Sequence, residues 1–110
     1  MPSFGDIDTV YNPTRKLNSE EIIRALQFGI ASEYETIQIY QQIMASTTNR
    51  AVKTVLTDLT NDEMHHAGAL IKLIRILSPD VAAQYDRGEN KVITELGITK
   101  KSKQPNKSHR

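Results

Sequence analysis

Glu33, Glu63 and His66 stand where apolar side chains belong. Leu26, Ile30, Glu33, Ile37, Tyr40 and Met44 follow one another at steps of 4, 3, 4, 3 and 4, the spacing of a core-facing helical stripe. Val52, Leu56, Leu59, Glu63, His66, Leu70, Leu73 and Leu77 form a second stripe at steps of 4, 3, 4, 3, 4, 3 and 4. A carboxylate buried without a partner costs roughly several kcal/mol, so it must become neutral, pair or coordinate a cation. One metal ion answers all three burials. Glu63 and His66 are spaced to share one face of a helix, and Glu-x-x-His is the spacing from which carboxylate-bridged metal centres are built.

Two long helices must position these residues. The polar run Ser46-Thr47-Thr48-Asn49 breaks the period between the stripes, and so short a linker favours an antiparallel hairpin. With the turn at Thr48, Glu33 lies fifteen residues before it and Glu63 fifteen after, so each sits roughly 22 Å along its helix. The three donors come level. They are also half of what a di-iron site of this type uses, which is four carboxylates and two histidines on four helices. Two copies related by a two-fold axis would supply the missing helices and the missing ligands together. Oxygen-rich ligation with one imidazole per metal suits iron or manganese better than structural zinc, with manganese or zinc as substitutes for iron. Four carboxylates balance two Fe(II) ions, and the chemistry expected of such a pair is oxidation to Fe(III).

The chain has 110 residues and a formal charge of +1. That length makes one modest core and is too short for a self-contained four-helix bundle. The absence of Cys removes disulfides, thiolate zinc sites and iron–sulfur clusters and suits a reducing cytoplasm. No apolar run approaches the roughly 20 residues of a membrane span, and the N-terminus lacks the pattern of a signal peptide. The expected localisation is cytoplasmic, with no membrane partner. Residues 98–110 carry five Lys or Arg and no acid, leaving nine basic and thirteen acidic residues before them. This basic tail has no aromatic interleaving and no basic helical face beside it, so no nucleic-acid partner is expected.

Residues 1–17 mix Pro2, Gly5 and Pro13 with isolated apolar residues and read as an extended arm. Asn18 with Glu21 resembles a capping box for a helix running to about Ala45. Thr47 or Thr48 is placed to cap the second helix, which Pro79 ends near Leu77. Two short helical segments follow, from Ser78-Pro79 to a stop at Gly88 and from Glu89 to a stop at Gly97. The expected architecture is all-α: a two-helix hairpin plus short C-terminal segments over residues 18–97, completing a four-helix bundle by dimerisation. Residues 98–110 form a disordered tail by composition.

The stretch Glu33-Tyr34-Glu35-Thr36-Ile37-Gln38-Ile39-Tyr40, followed by Asp62-Glu63-Met64-His65-His66-Ala67-Gly68, resembles the ferritin-like proteins of the rubrerythrin type. With a single such helix pair, over residues 18–97, the chain is most similar to the encapsulated ferritins. The resemblance implies a ferroxidase that oxidises Fe(II) at a di-iron centre between two subunits, for iron storage or detoxification. It implies dimers associating into a ring, commonly a decamer, as cargo inside an encapsulin nanocompartment. It makes Glu33, Glu63 and His66 the iron ligands and catalytic residues, and Tyr40 a tyrosine close to the centre. An outer metal-access site in that family uses an acid immediately before the first ligand, where this chain has Ser32; Glu35 matches its other member alone. Leu96-Gly97-Ile98-Thr99-Lys100-Lys101 loosely matches the family's encapsulation peptides.

Each residue also has a plainer reading. Glu33 alone suits an ion pair at a helix edge, and His66 alone suits a hydrogen-bonded core histidine. His65 points about 100° away from His66 and belongs on the surface. Tyr40 suits core packing with its hydroxyl on a ligand carboxylate, and Glu35 and Asp62 suit a solvated face. His109 carries no signal. As whole functions, a non-catalytic helical assembly or metal-binding module and a rubrerythrin-like peroxide reductase stand beside the ferroxidase.

Overall fold

The computed structural model of this chain describes residues 15–98. The expectations for the arm before Arg15 and the tail after Ile98 lie outside the described residues. The described part is all helical, with α1 at Ser19–Ala45, α2 at Arg50–Leu77 and α3 at Pro79–Leu96. The chain divides after Ser78 into two compact units, the first holding α1 and α2 and the second α3.

In α1 the predicted capping box is present, with Asn18 Oδ1 accepting from Glu21 N–H and Glu21 Oε1 accepting from Asn18 N–H, each at 2.9 Å. Arg15 locks it from outside, its two guanidinium nitrogens donating to the two Glu21 carboxylate oxygens at 2.7 and 2.6 Å. These bonds and the amide of Asn18 favour the ionised form, so the Glu21 carboxyl is held down to about 2 from its ordinary 4.5. Glu21 is buried.

The cap of α2 differs from the expected threonines. Asn49 takes the position, its Oδ1 accepting from Val52 N–H at 3.1 Å, while Thr47 Oγ1 accepts from Asn49 N–H at 3.0 Å and shapes the turn. Asparagine is at least as good an N-cap as threonine, and choosing it moves the helix start on by one or two residues. The helix ends at Ser78, which is extended at φ −136° and ψ 92° as a residue before proline should be.

The region after Pro79 also differs from expectation, because one helix of 18 residues replaces two short ones. Gly88 lies inside it. Glycine in a helix interior costs only about 1 kcal/mol relative to alanine, and the alanine, glutamine, glutamate and lysine around it favour helix. The second predicted stop holds. Gly97 adopts φ +69°, with Gly97 N–H donating to Thr94 C=O at 3.1 Å and Ile98 N–H to Ile93 C=O at 3.0 Å, a Schellman ending that needs the left-handed conformation glycine permits.

Contacts at two heights fix the antiparallel register of α1 and α2. Thr57 Oγ1 lies 3.6 Å from Met44 Sδ near the turn, and Leu70 lies against Gly29 farther along, where an added Cβ would sit 3.4 Å from Leu70 Cδ1. Ile37, Ala67 and Ile74 form the apolar interior of this unit, with Thr60 enclosed beside them. Thr60, Ala67 and Ile74 each follow by one residue the predicted core positions Leu59, His66 and Leu73, so the covered line of α2 is turned by about 100° from those members of the track. Leu59, Leu73 and Leu77 are instead 38%, 40% and 50% exposed. The physical reason is that a hairpin covers only the sides its two helices turn to each other, and the spacing of a track does not fix which of its flanks that is. No described helix is long and apolar enough to cross a membrane.

Candidate metal centre

Antiparallel pairing brings the midpoints of α1 and α2 together, and with them three residues far apart in sequence. Glu33 from α1 and Glu63 and His66 from α2 each offer a donor atom, and these atoms all lie within 4.8 Å of one another. His66 Nδ1 is 3.6 Å from Glu33 Oε1 and 3.7 Å from Glu63 Oε1. Those separations exceed hydrogen-bond length. They suit donors sharing one cation, since carboxylate oxygens and imidazole nitrogens each approach a transition metal to about 2.1 Å. Two anionic oxygens and one nitrogen make a donor set that attracts a divalent ion, so the residues present fit the group the sequence implies. It is the metal-competent cluster of acids and histidines among the described residues.

The site is lopsided in its exposure. The side chains of Glu33 and Glu63 are 22% and 20% exposed, and that of His66 is 58% exposed. The carboxylates lie in the seam between the helices, while the imidazole stands on the open side. His66 shares that side of α2 with Leu59, Leu73 and Leu77, at seven-, seven- and four-residue spacing, so the cluster opens onto an uncovered apolar strip.

The other named residues fall outside the cluster. Tyr40 is half-buried, and among the described residues no hydrogen bond joins its hydroxyl to Glu33 or Glu63. Glu35 is half-buried and Asp62 and His65 are exposed; none joins the three donors. Ser32 accepts a hydrogen bond on its carbonyl from Thr36 Oγ1 at 3.1 Å. Sequence reasoning passed over Thr60, whose hydroxyl is enclosed without a partner. Spacing gives no signal for it, because Thr60 lies one residue off the second stripe.

Comparison with known proteins places this chain among relatives. Residues 24–106 match the family model of rubrerythrin. A ferritin-like-encapsulin shell fusion protein of Pyrococcus furiosus is 26% identical over 90 residues, covering 82% of this chain and 26% of that protein. The encapsulin nanocompartment cargo protein EncC of Myxococcus xanthus is 30% identical over 69 residues, covering 63% of this chain and 53% of that one. This chain thus spans about a quarter and about half of these two relatives. Its fold matches the crystal structure of the encapsulated ferritin domain from Pyrococcus furiosus with a TM-score of 0.72 at 26% identity, over 80% of this chain and 95% of that one.

Proposed function

Because this chain belongs to the rubrerythrin family, we propose that it is a ferroxidase, taking Fe(II) as substrate at a site shared by two copies and releasing Fe(III) for storage or detoxification. The observation that carries this is the convergence of Glu33, Glu63 and His66 within 4.8 Å on the open side of the hairpin. The family resemblance supplies the redox chemistry.

One hairpin offers two carboxylates and one imidazole, which is half of a di-iron set. A second copy laid on the apolar strip of Leu59, Leu73 and Leu77 covers exposed hydrocarbon and brings the same three donors from the other side. Both deficits close together. Glu33 and Glu63 draw Fe(II) by charge, and with their counterparts they balance two divalent ions. His66 contributes a neutral nitrogen that holds its ion against the carboxylates. Dioxygen supplies the oxidising power, accepting the electrons that the two ions give up. Manganese or zinc would occupy the same donors without that turnover.

The two encapsulin-related proteins support a further assignment, that dimers of this chain form a ring, of ten subunits by family resemblance, held inside an encapsulin shell. Leu96-Gly97-Ile98-Thr99-Lys100-Lys101 is the segment proposed to dock there.

Adding Fe(II) to the protein without oxygen and then admitting air tests the activity. Ferric absorbance should grow faster than in buffer, and Glu63→Ala should abolish the gain. Oxidation no faster than in buffer would overturn the assignment, and a steady-state preference for peroxide over dioxygen would move it to the peroxide reductase.

A further inference from the structure

Thr60 is 5% exposed, and its Oγ1 is enclosed without any hydrogen-bond partner. A threonine inside a helix has a simple way to satisfy its hydroxyl, by donating to the carbonyl four residues back. Thr57, three residues earlier on α2, does so to Lys53 at 2.7 Å, and Thr36 on α1 does so to Ser32 at 3.1 Å. Thr60 does not. Its hydroxyl makes no such bond and carries the desolvation cost of leaving it unmade.

The missing partner has to come from inside the hairpin. Because Oγ1 is already shut off from solvent in one chain, neither bulk water nor a second copy lying on the open side reaches it. Glu63 follows three residues later, on the same side of α2. Its carboxylate is one of the three donors of the cluster, turned with Oε1 toward His66. A carboxylate that ligates an ion through one oxygen keeps hydrogen-bonding capacity on the other, and donors to metal-bound carboxylates fix their orientation.

We propose that Thr60 is a positioning residue of the metal site: when Glu63 ligates an ion, the Thr60 hydroxyl donates to the carboxylate oxygen that faces away from the ion. This rests on the ligand role assigned to Glu63 above. The enclosed, unpartnered hydroxyl is then a donor held ready for that carboxylate, and its cost is returned as tighter ion binding.

Two measurements on the full chain test this with cobalt(II) as the probe. Visible absorption follows cobalt binding, and thermal unfolding in chelator follows the metal-free protein. Thr60→Val, which keeps the shape and removes the hydroxyl, should melt no lower than wild type in chelator yet bind cobalt about 10- to 100-fold more weakly. Thr60→Ser should bind like wild type. Cobalt affinity unchanged in Thr60→Val would overturn the proposal, as would a large drop in its metal-free melting temperature, which would mean the hydroxyl already serves the fold. Wild-type protein that binds no cobalt would strike the ligand assignment itself, a distinct result.

Discussion

Glu33 Oε1 on α1 and His66 Nδ1 on α2 stand 3.6 Å apart, joined by the register of an antiparallel hairpin across thirty-three residues of sequence. Glu63 Oε1 lies 3.7 Å from the same nitrogen. Three donors therefore converge without pairing off into hydrogen bonds, an arrangement whose donor types suit a divalent cation.

Removing the imidazole should empty the site while leaving the hairpin intact. His66 is mostly exposed, so His66→Ala leaves helical circular dichroism unchanged and lowers cobalt affinity by more than about 100-fold, beyond what outer-sphere partners account for. Titration calorimetry reads this directly. Wild-type affinity in His66→Ala would remove the residue from the ligand set.

The apolar strip should govern assembly. Leu73 is 40% exposed in the single chain, so a charge there costs the hairpin little, whereas burying it against a second copy carries the desolvation cost of an unpaired carboxylate. Leu73→Glu is expected to shift sedimentation equilibrium from oligomer to monomer. An oligomer of unchanged size would show that the second copy packs elsewhere.

The cap of α2 gives a stability comparison between neighbours. Asn49→Ala removes the acceptor that Val52 N–H uses and should lower stability by about 0.5–2 kcal/mol. Thr48→Ala, at an exposed position outside the cap, should stay within about 0.5 kcal/mol. Urea unfolding of both variants checks the order, and equal losses would refute the assignment of the cap.

These contrasts mark what the sequence could reveal. The Asn18–Glu21 box, the hairpin, the level placement of Glu33 with Glu63 and the ending at Gly97 follow from local chemistry and counting, and all are present. The α2 cap was missed because Thr47, Thr48 and Asn49 are all competent and only packing chooses among them. Gly88 misled because glycine's helix penalty is small enough for good helix formers on both sides to outweigh. The burial of Thr60, Ala67 and Ile74 in place of Leu59, His66 and Leu73 was invisible because a heptad track does not say which of its flanks the partner helix covers, and one hairpin covers only the sides its two helices turn to each other. Thr60 could not be singled out, since a threonine's hydroxyl partner is a matter of rotamer and not of spacing.

Acid should unfold the start of α1 in a defined window. The Glu21 carboxyl is held at about 2 in the fold against 4.5 ordinarily, so below the ordinary value the unfolded chain takes up a proton that the folded chain refuses. The stability contributed by Arg15 and Glu21 is complete above about 4.5 and is lost as pH falls toward about 2. Glu21→Gln should lower the melting temperature near neutral pH and flatten its decline through that window. A decline as steep as that of wild type would contradict the ion pair.

Counting iron in the assembled protein reaches the central claim most directly. Oligomer loaded with Fe(II) without oxygen, freed of excess ion and analysed for metal should hold one iron per chain, and the Glu63→Ala oligomer should hold essentially none. A fully assembled wild-type oligomer with no stoichiometric iron would contradict the account and leave Glu33, Glu63 and His66 as polar features of a helical assembly module.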